Sequence, residues 1–184
     1  MVISQFLIME KMDIKKIQQF EPHLGEEEKQ QLIEVIDSGW FTEAKKTREF
    51  EKKFAEYVGK KYAVATTSGT SALFIALYAM NLSGNDQVIV PDLTFVASPN
   101  SVRMTEAKVR LVDIEKNNLC LDIKKTKGLV NKNTKAIMPV DFNGRSADIK
   151  ELKEHTDKSN ISIVEDACHT MGSYYRGKHM GHFS

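Results

Sequence analysis

Residues 87–113, QVIVPDLTFVASPNSVRMTEAKVRLVD, contain two short apolar runs on either side of one helical stretch. QVIVP at 87–91 and VRLVD at 109–113 are rich in β-branched residues and have strand length. The segment between them predicts a helix over about 95–105. A strand, a helix and a strand in so short a span form a βαβ unit, which makes the two strands parallel.

Outward from this unit the alternation continues. YAVAT at 62–66, KAIMPV at 135–140 and ISIVED at 161–166 are three more strand-like runs. Helices are expected near 70–81, 122–130 and 147–156. The pattern is that of an α/β protein with a parallel sheet covered on both faces. Upstream lie two further helices. One runs about 26–38, with Leu32, Ile33 and Ile36 on one face and Gly39 as its stop. The other runs about 46–58, with Phe50, Phe54, Tyr57 and Val58 at helical spacing and Gly59 as its close. Their charged residues read as solvated faces. The chain therefore divides into an N-terminal extension and lead-in (1–20), a helical segment (21–60) and an α/β region (61–184).

Composition narrows the function. The 184 residues are 41% hydrophobic and 28% charged, an ordinary globular balance. Lys plus Arg total 26 against 25 for Asp plus Glu, so the net charge is +1 and offers no field for nucleic acid or an acidic membrane. No apolar run approaches the ~20 residues that span a bilayer. The start, MVISQFLIMEKM, lacks a basic n-region and runs into Glu10, so no signal peptide is expected; Met12 offers an alternative start. Cys120 and Cys168 are far apart and form no CxxC pair, which fits a reducing, cytoplasmic setting.

In parallel sheets ligands bind beyond the carboxyl ends of the strands, so the residues there carry the functional information. After 62–66 come Gly69, Thr70 and Ser71, opening a helix. Free backbone N–H groups and hydroxyls at a helix N-terminus suit a phosphate, and Ser and Thr also serve as plain N-caps. The segment is neither a P-loop nor a GxGxxG turn. After 87–91 comes Phe95, which suits either the core or the face of a planar ligand. After 135–140 come Asp141, Asn143 and Gly144, then Asp148 at a helix start. After 161–165 comes Asp166, a carboxylate that needs a partner if buried: a heterocyclic N–H, a salt bridge or a cap. His169, His179 and His182 match no metal signature, and Cys168 and His169 are adjacent, which does not make a nucleophile–base pair.

Taken in order, four segments resemble the sugar aminotransferases of the DegT/DnrJ/EryC1/StrS family, fold type I enzymes that use pyridoxal 5′-phosphate (PLP). They are SGWFTEAKKTREFEKKFAEYVGKKYAVATTSGTSAL at 38–73, VIVPDLTFVAS at 88–98, PVDFNGRSADI at 139–149 and IVEDACHTMGSYYRGKHMG at 163–181. The resemblance runs from about Phe20 to Ser184. It implies a three-layer αβα large domain with a mostly parallel sheet, incomplete at its C-terminal side. It implies that Gly69, Thr70 and Ser71 hold the PLP phosphate, that Phe95 stacks on the pyridine ring and that Asp166 pairs with the ring nitrogen. His169 matches a Gln/His position beside the phenolic oxygen. Trp40, Phe41 and Thr42 match a substrate-side loop. Asp141 stands where many relatives carry His.

The family's Schiff-base lysine lies about two dozen residues beyond the aspartate. Eighteen residues follow Asp166, and Lys178 belongs to a different motif position, so no residue of this chain takes the lysine's place. The resemblance implies amino transfer, with L-glutamate as donor, to a nucleotide-linked keto sugar by a cytoplasmic homodimer of the full-length protein. A PLP-dependent sugar dehydratase of the same family and a non-catalytic partner of a split enzyme are the alternatives. In this topology strand 62–66 takes its neighbours from beyond the lysine, and strand 161–166 becomes an open edge.

Overall fold

The computed structural model describes residues 21–42, 44–157 and 159–183. The extension expected at 1–20 lies outside the described residues. Two compact units are present, the first ending at Ala44 and the second running Lys45–Ser184.

The first unit is built on α1, Glu26–Ser38. Glu26, Glu27 and Glu28 fill its first turn, where the helix dipole favours negative charge. The Glu28 carboxylate accepts the Gly25 N–H at 2.7 Å. Gly39, at φ 66°, ends the helix in the left-handed region. Leu32, Ile33 and Ile36 share an exposed stripe.

The second unit begins with α2, Lys45–Val58. The sequence reading placed this helix with α1 in the segment 21–60; the compact units divide between the two helices, after Ala44. Its buried residues are Glu51, Ala55 and Val58, whereas Phe50 and Tyr57 are exposed. Glu51 is a correction to the expectation of wholly solvated charges. Its carboxylate accepts the Ala65 N–H at 2.8 Å and pairs with Arg48 at 2.7 Å.

That contact explains a second correction: residues 62–66 form no strand. A strand needs a partner ladder, and none reaches this segment among the described residues. The Ala65 N–H turns instead to a glutamate side chain, and Tyr62 and Val64 stay exposed.

The remaining elements follow in alternation: α3 Gly69–Tyr78, β1 Gln87–Pro91, α4 Ala97–Arg103, β2 Lys108–Val112, α5 Ile123–Leu129, β3 Thr134–Ile137, α6 Ile149–Thr156 and β4 Ser162–Ile163. The four strands form one parallel sheet in the order β2-β1-β3-β4. Strand β4 is shorter than the expected 161–166, but a parallel bridge between Val140 and Asp166 carries the pairing onward. The helix expected at 95–105 starts only at Ala97, which leaves Phe95 in the turn before it.

Side chains alternate across the sheet, so successive residues enter different cores. Val88, Val90, Ala136 and Met138 pack with Leu73 and Leu77 of α3 and Val102 of α4. Ile89 and Ile137 pack with Ile123 of α5 and with Ile149 and Leu152 of α6. Helices on both faces make the three-layer αβα arrangement that the sequence implies.

Beyond the sheet lies a two-stranded hairpin that the sequence reading passed over, β5 Tyr174–Tyr175 and β6 Lys178–His179. Arg176 and Gly177 both take positive φ, 49° and 76°, as a two-residue turn of this hand requires. His179 is buried in it. Its Nδ1–H donates to the Met180 carbonyl at 2.6 Å, and its Nε2 accepts the Gly172 N–H at 3.1 Å. Both ring nitrogens are thus spent on backbone. The His182 Nδ1–H donates to the Val58 carbonyl at 3.0 Å and ties the chain back to α2.

The two sheet edges differ. β2 presents exposed Lys108 and Arg110, charges that discourage edge pairing. β4 presents Ser162 and Ile163 with no charge. With Tyr62 and Val64 exposed within the unpaired segment 62–66, the 184-residue chain expressed alone is expected to self-associate. Size exclusion with light scattering checks this, and a monodisperse, cooperatively melting monomer is the contrary result.

Candidate active site

The carboxyl ends of β1, β3 and β4 and the N-terminus of α3 surround a cavity of about 240 Å³. Gly69, Thr70, Phe95, Asp166 and His169 line it, together with Thr94, Phe142 and Cys168. Five of the six residues that the sequence singled out for the cofactor are therefore brought together. The sixth, Ser71, stands one residue deeper in α3 and is not in the lining.

At one end is the start of α3. The Ser68 hydroxyl caps it by accepting the Ser71 N–H at 3.1 Å. The Ser71 hydroxyl lies 3.1 Å from those of both Thr67 and Ser68. The backbone N–H groups of Gly69 and Thr70 meet no acceptor among the described residues. They remain available to an anion at the positive end of the helix. The plain N-cap is present on the Ser71 N–H, and it leaves the Gly69 and Thr70 N–H groups open. Gly69 is also where α3 passes nearest Cys168: a Cβ there would sit 3.1 Å from the Cys168 Sγ.

At the other end is Asp166, buried, held by backbone bonds from both sides. Its N–H donates to the Pro139 carbonyl at 2.9 Å, and its own carbonyl accepts the Asp141 N–H at 3.1 Å. Its Oδ1 accepts the Cys168 N–H at 3.3 Å. Its Oδ2 accepts the Ser98 hydroxyl at 2.7 Å. Ser98 is fully buried, and its Oγ lies 2.7 Å from the Thr94 Oγ1. Because the single Ser98 proton points at Asp166, the Thr94 hydroxyl donates to Ser98. No basic side chain ion-pairs with Asp166 among the described residues.

The wall between these ends is Phe95, 72% exposed, which removes the core reading of this ring. His169 faces the cavity from the opposite strand end. Asn143 and Gly144 turn the chain with positive φ, 53° and 72°, and present the Asn143 N–H to His169 Nδ1 at 3.4 Å. In the neutral ring this leaves the proton on Nε2. Phe142 meets the same imidazole edge-on, with centroids 5.7 Å apart.

No lysine lines the cavity, and Lys178 is exposed on the hairpin. No group of three or more His, Cys, Asp or Glu side chains is placed to hold a metal among the described residues. None of the described helices is long and apolar enough to cross a membrane. Trp40 and Phe41 belong to the first unit, where both rings are exposed.

Sequence reasoning missed Ser98 and Thr94. Their signal was the spacing Thr-x-x-x-Ser, which puts both hydroxyls on one side of a helix start. Cys168 is no nucleophile here. Cys168 is exposed as a residue, but partial desolvation of its sulfur and the neighbouring Asp166 push the thiol up to about 12. The thiolate is the reactive form, so alkylation of Cys168 by iodoacetamide at pH 8 is expected to run about two orders of magnitude slower than that of an unperturbed cysteine. Peptide mass spectrometry over a time course measures it.

The model of the DegT/DnrJ/EryC1/StrS aminotransferase family matches residues 22–184. GDP-perosamine synthase of Caulobacter vibrioides is 39% identical over 170 residues, which cover 92% of this chain and 46% of that protein. S. venezuelae DesV, solved in complex with a ketimine intermediate, matches with a TM-score of 0.82 at 33% identity, over 85% of this chain and 42% of its own. GDP-4-keto-6-deoxymannose-3-dehydratase, solved with a trapped PLP-glutamate geminal diamine, matches with a TM-score of 0.86 at 28% identity, over 90% of this chain and 45% of its own. The chain thus spans about half the length of these relatives. Motif order, fold and family match agree: the chain belongs to the DegT/DnrJ/EryC1/StrS aminotransferase family.

Proposed function

We propose that the natural protein is a PLP-dependent aminotransferase that moves an amino group, with L-glutamate as donor, onto the keto carbon of a nucleotide-linked sugar. One observation carries this reading. A buried carboxylate with no ion-pair partner, an exposed aromatic face and an unspent helix N-terminus meet in one cavity. That donor set fits a phosphorylated pyridinium, with an anion at one end and a cationic N–H at the other. Identity of 39% with GDP-perosamine synthase supports a nucleotide-linked sugar as substrate, GDP being the first nucleotide to test.

When bound, PLP supplies the electron sink that lets a substrate carbon lose its proton. The chain's residues divide the rest of the work. Gly69 and Thr70 offer backbone N–H groups, and Ser71 a hydroxyl, to the phosphate. Phe95 covers one face of the ring and keeps water from it. Asp166 holds a proton on the pyridine nitrogen, because a buried carboxylate stabilises the cationic form beside it. Ser98 fixes the direction of that carboxylate. His169 offers its Nε2–H to the phenolic oxygen. Trp40, Phe41 and Thr42 are assigned to the sugar, and the working unit is assigned as a homodimer. Residues 61–184 are assigned as the first part of the cofactor-binding domain.

Sugar dehydratases share this half of the fold, as the match to GDP-4-keto-6-deoxymannose-3-dehydratase indicates. One assay separates the two. The natural protein is incubated with PLP, L-glutamate and GDP-4-keto-6-deoxymannose, and the products are resolved by mass. An amino sugar with 2-oxoglutarate in equal amount supports the proposal, while a deoxygenated keto sugar assigns the dehydratase. In either case Asp166→Asn is expected to lower kcat/KM by about 10²–10³, the usual cost of losing one preorganised electrostatic contact to developing charge.

A further inference from the structure

Behind Asp166 lies a feature that this function does not use. Asp141 is fully buried, and neither of its carboxyl oxygens has a hydrogen-bond partner among the described residues. Facing it is the carboxyl of Glu165, whose Oε2 is likewise buried and without a donor. Two carboxylates so placed cannot both be ionised, since each would lose its hydration and repel the other. A carboxylic acid, by contrast, has a proton to donate, and an acid–carboxylate contact is short and strong.

We propose that Asp141 and Glu165 share a single proton, Asp141 as the acid and Glu165 as the carboxylate, in a clasp that positions Asp166 at the cavity.

The asymmetry follows from the surroundings. The Glu165 Oε1 accepts the Gly181 N–H at 3.1 Å, and the Lys60 ammonium acts on Glu165 from the end of α2. Glu165 thus has a backbone donor and a cation nearby, whereas no donor reaches either Asp141 oxygen among the described residues. Asp141 meets the reverse: burial first, then Glu165, then the Asp166 charge raise it from the ordinary 3.8 to about 10. Ala147 N–H pulls weakly the other way, without hydrogen-bond geometry. The remaining titratable neighbour, the Cys120 thiol, is itself buried and pushed up, so it is neutral.

The clasp is mechanical as well as electrostatic. Asp141 N–H already holds the Asp166 carbonyl, and Glu165 precedes Asp166 and grips Gly181. One proton therefore joins the ends of β3 and β4 to the turn after the hairpin, and Asp166 sits at the joint. Asp141 and Glu165 touch no ligand; they are positioning residues. Their purpose rests on reading the cavity as a cofactor site, whereas the shared proton does not.

The experiment uses the natural protein without added cofactor. Infrared difference spectroscopy with ¹³C-labelled aspartate is expected to show a protonated-carboxyl C=O stretch near neutral pH that is absent from Asp141→Asn. Folding then carries one proton that the unfolded chain releases, so stability falls as pH rises from the ordinary carboxylate range towards Asp141's own raised value. Asp141→Asn removes that dependence and keeps an N–H donor to Glu165. Its Tm is expected to gain on the natural protein by about 2 °C per pH unit between pH 6 and 9. Asp141→Ala removes the same dependence but has no donor for Glu165, so its Tm is expected to lie below that of Asp141→Asn at every pH. If Asp141→Asn does not fold, Glu165→Gln offers an amide donor to an ionised Asp141 and is expected to abolish the same band. Absence of the band from the natural protein, or a Tm difference that does not vary with pH, overturns the proposal. Loss of amino transfer with the band intact would count against the proposed function alone.

Discussion

The parallel pairing of Val140 with Asp166 is the constraint on which the rest depends. Beyond the last regular residues of β3 and β4 the two chains stay in register through two backbone bonds, Asp166 to Pro139 and Asp141 to Asp166. That extension carries a carboxylate out of the apolar sheet and stops it at the rim, buried but reachable. Burial without an ion pair is costly, and hydroxyl and amide donors offset it only in part. In the proposed function, that residual demand is what a cationic partner would meet. Phe95 and the start of α3 then fix what else that partner must carry.

How much of this was legible in the sequence depends on where each signal resides. β1 was readable to the residue, because three consecutive β-branched residues, Val88, Ile89 and Val90, bounded by turn residues describe a central strand wherever it sits. Residues 62–66 look as strand-like, yet the outcome turns on partners that a local pattern does not reveal. The hairpin at 174–179 was missed because each strand has only two residues; its mark was Arg-Gly between two aromatic and basic pairs. The order of strands, with β1 central and β2 at the edge, is a property of crossovers and is invisible to periodicity.

The site divides along the same line. Residues at strand ends were found because α/β topology says where to look, and Gly69, Phe95, Asp166 and His169 all fell there. Ser98 was not, since its partner is 68 residues away and a serine inside a helix has many ordinary roles. Glu51 was read as surface because glutamate on an amphipathic helix normally is; only the unpaired Ala65 N–H gives it a reason to be inside. Asp141 was noticed as a departure from the family pattern, but its meaning needs the carboxyl opposite.

The short helix α4 has a consequence for anyone who alters this pocket. Phe95 stands just before its first turn and Ser98 within it, so the ring wall and the anchor of the carboxylate share one short support. Neither can be shifted without carrying the other. A larger ring at 95, or a helix start moved by one residue, would therefore retune the electrostatic end of the cavity while seeming to change only its shape. Substitutions at 94, 95 and 98 are best made as a set and selected together, and surveys that vary one of them at a time will underestimate how freely this corner can be redesigned.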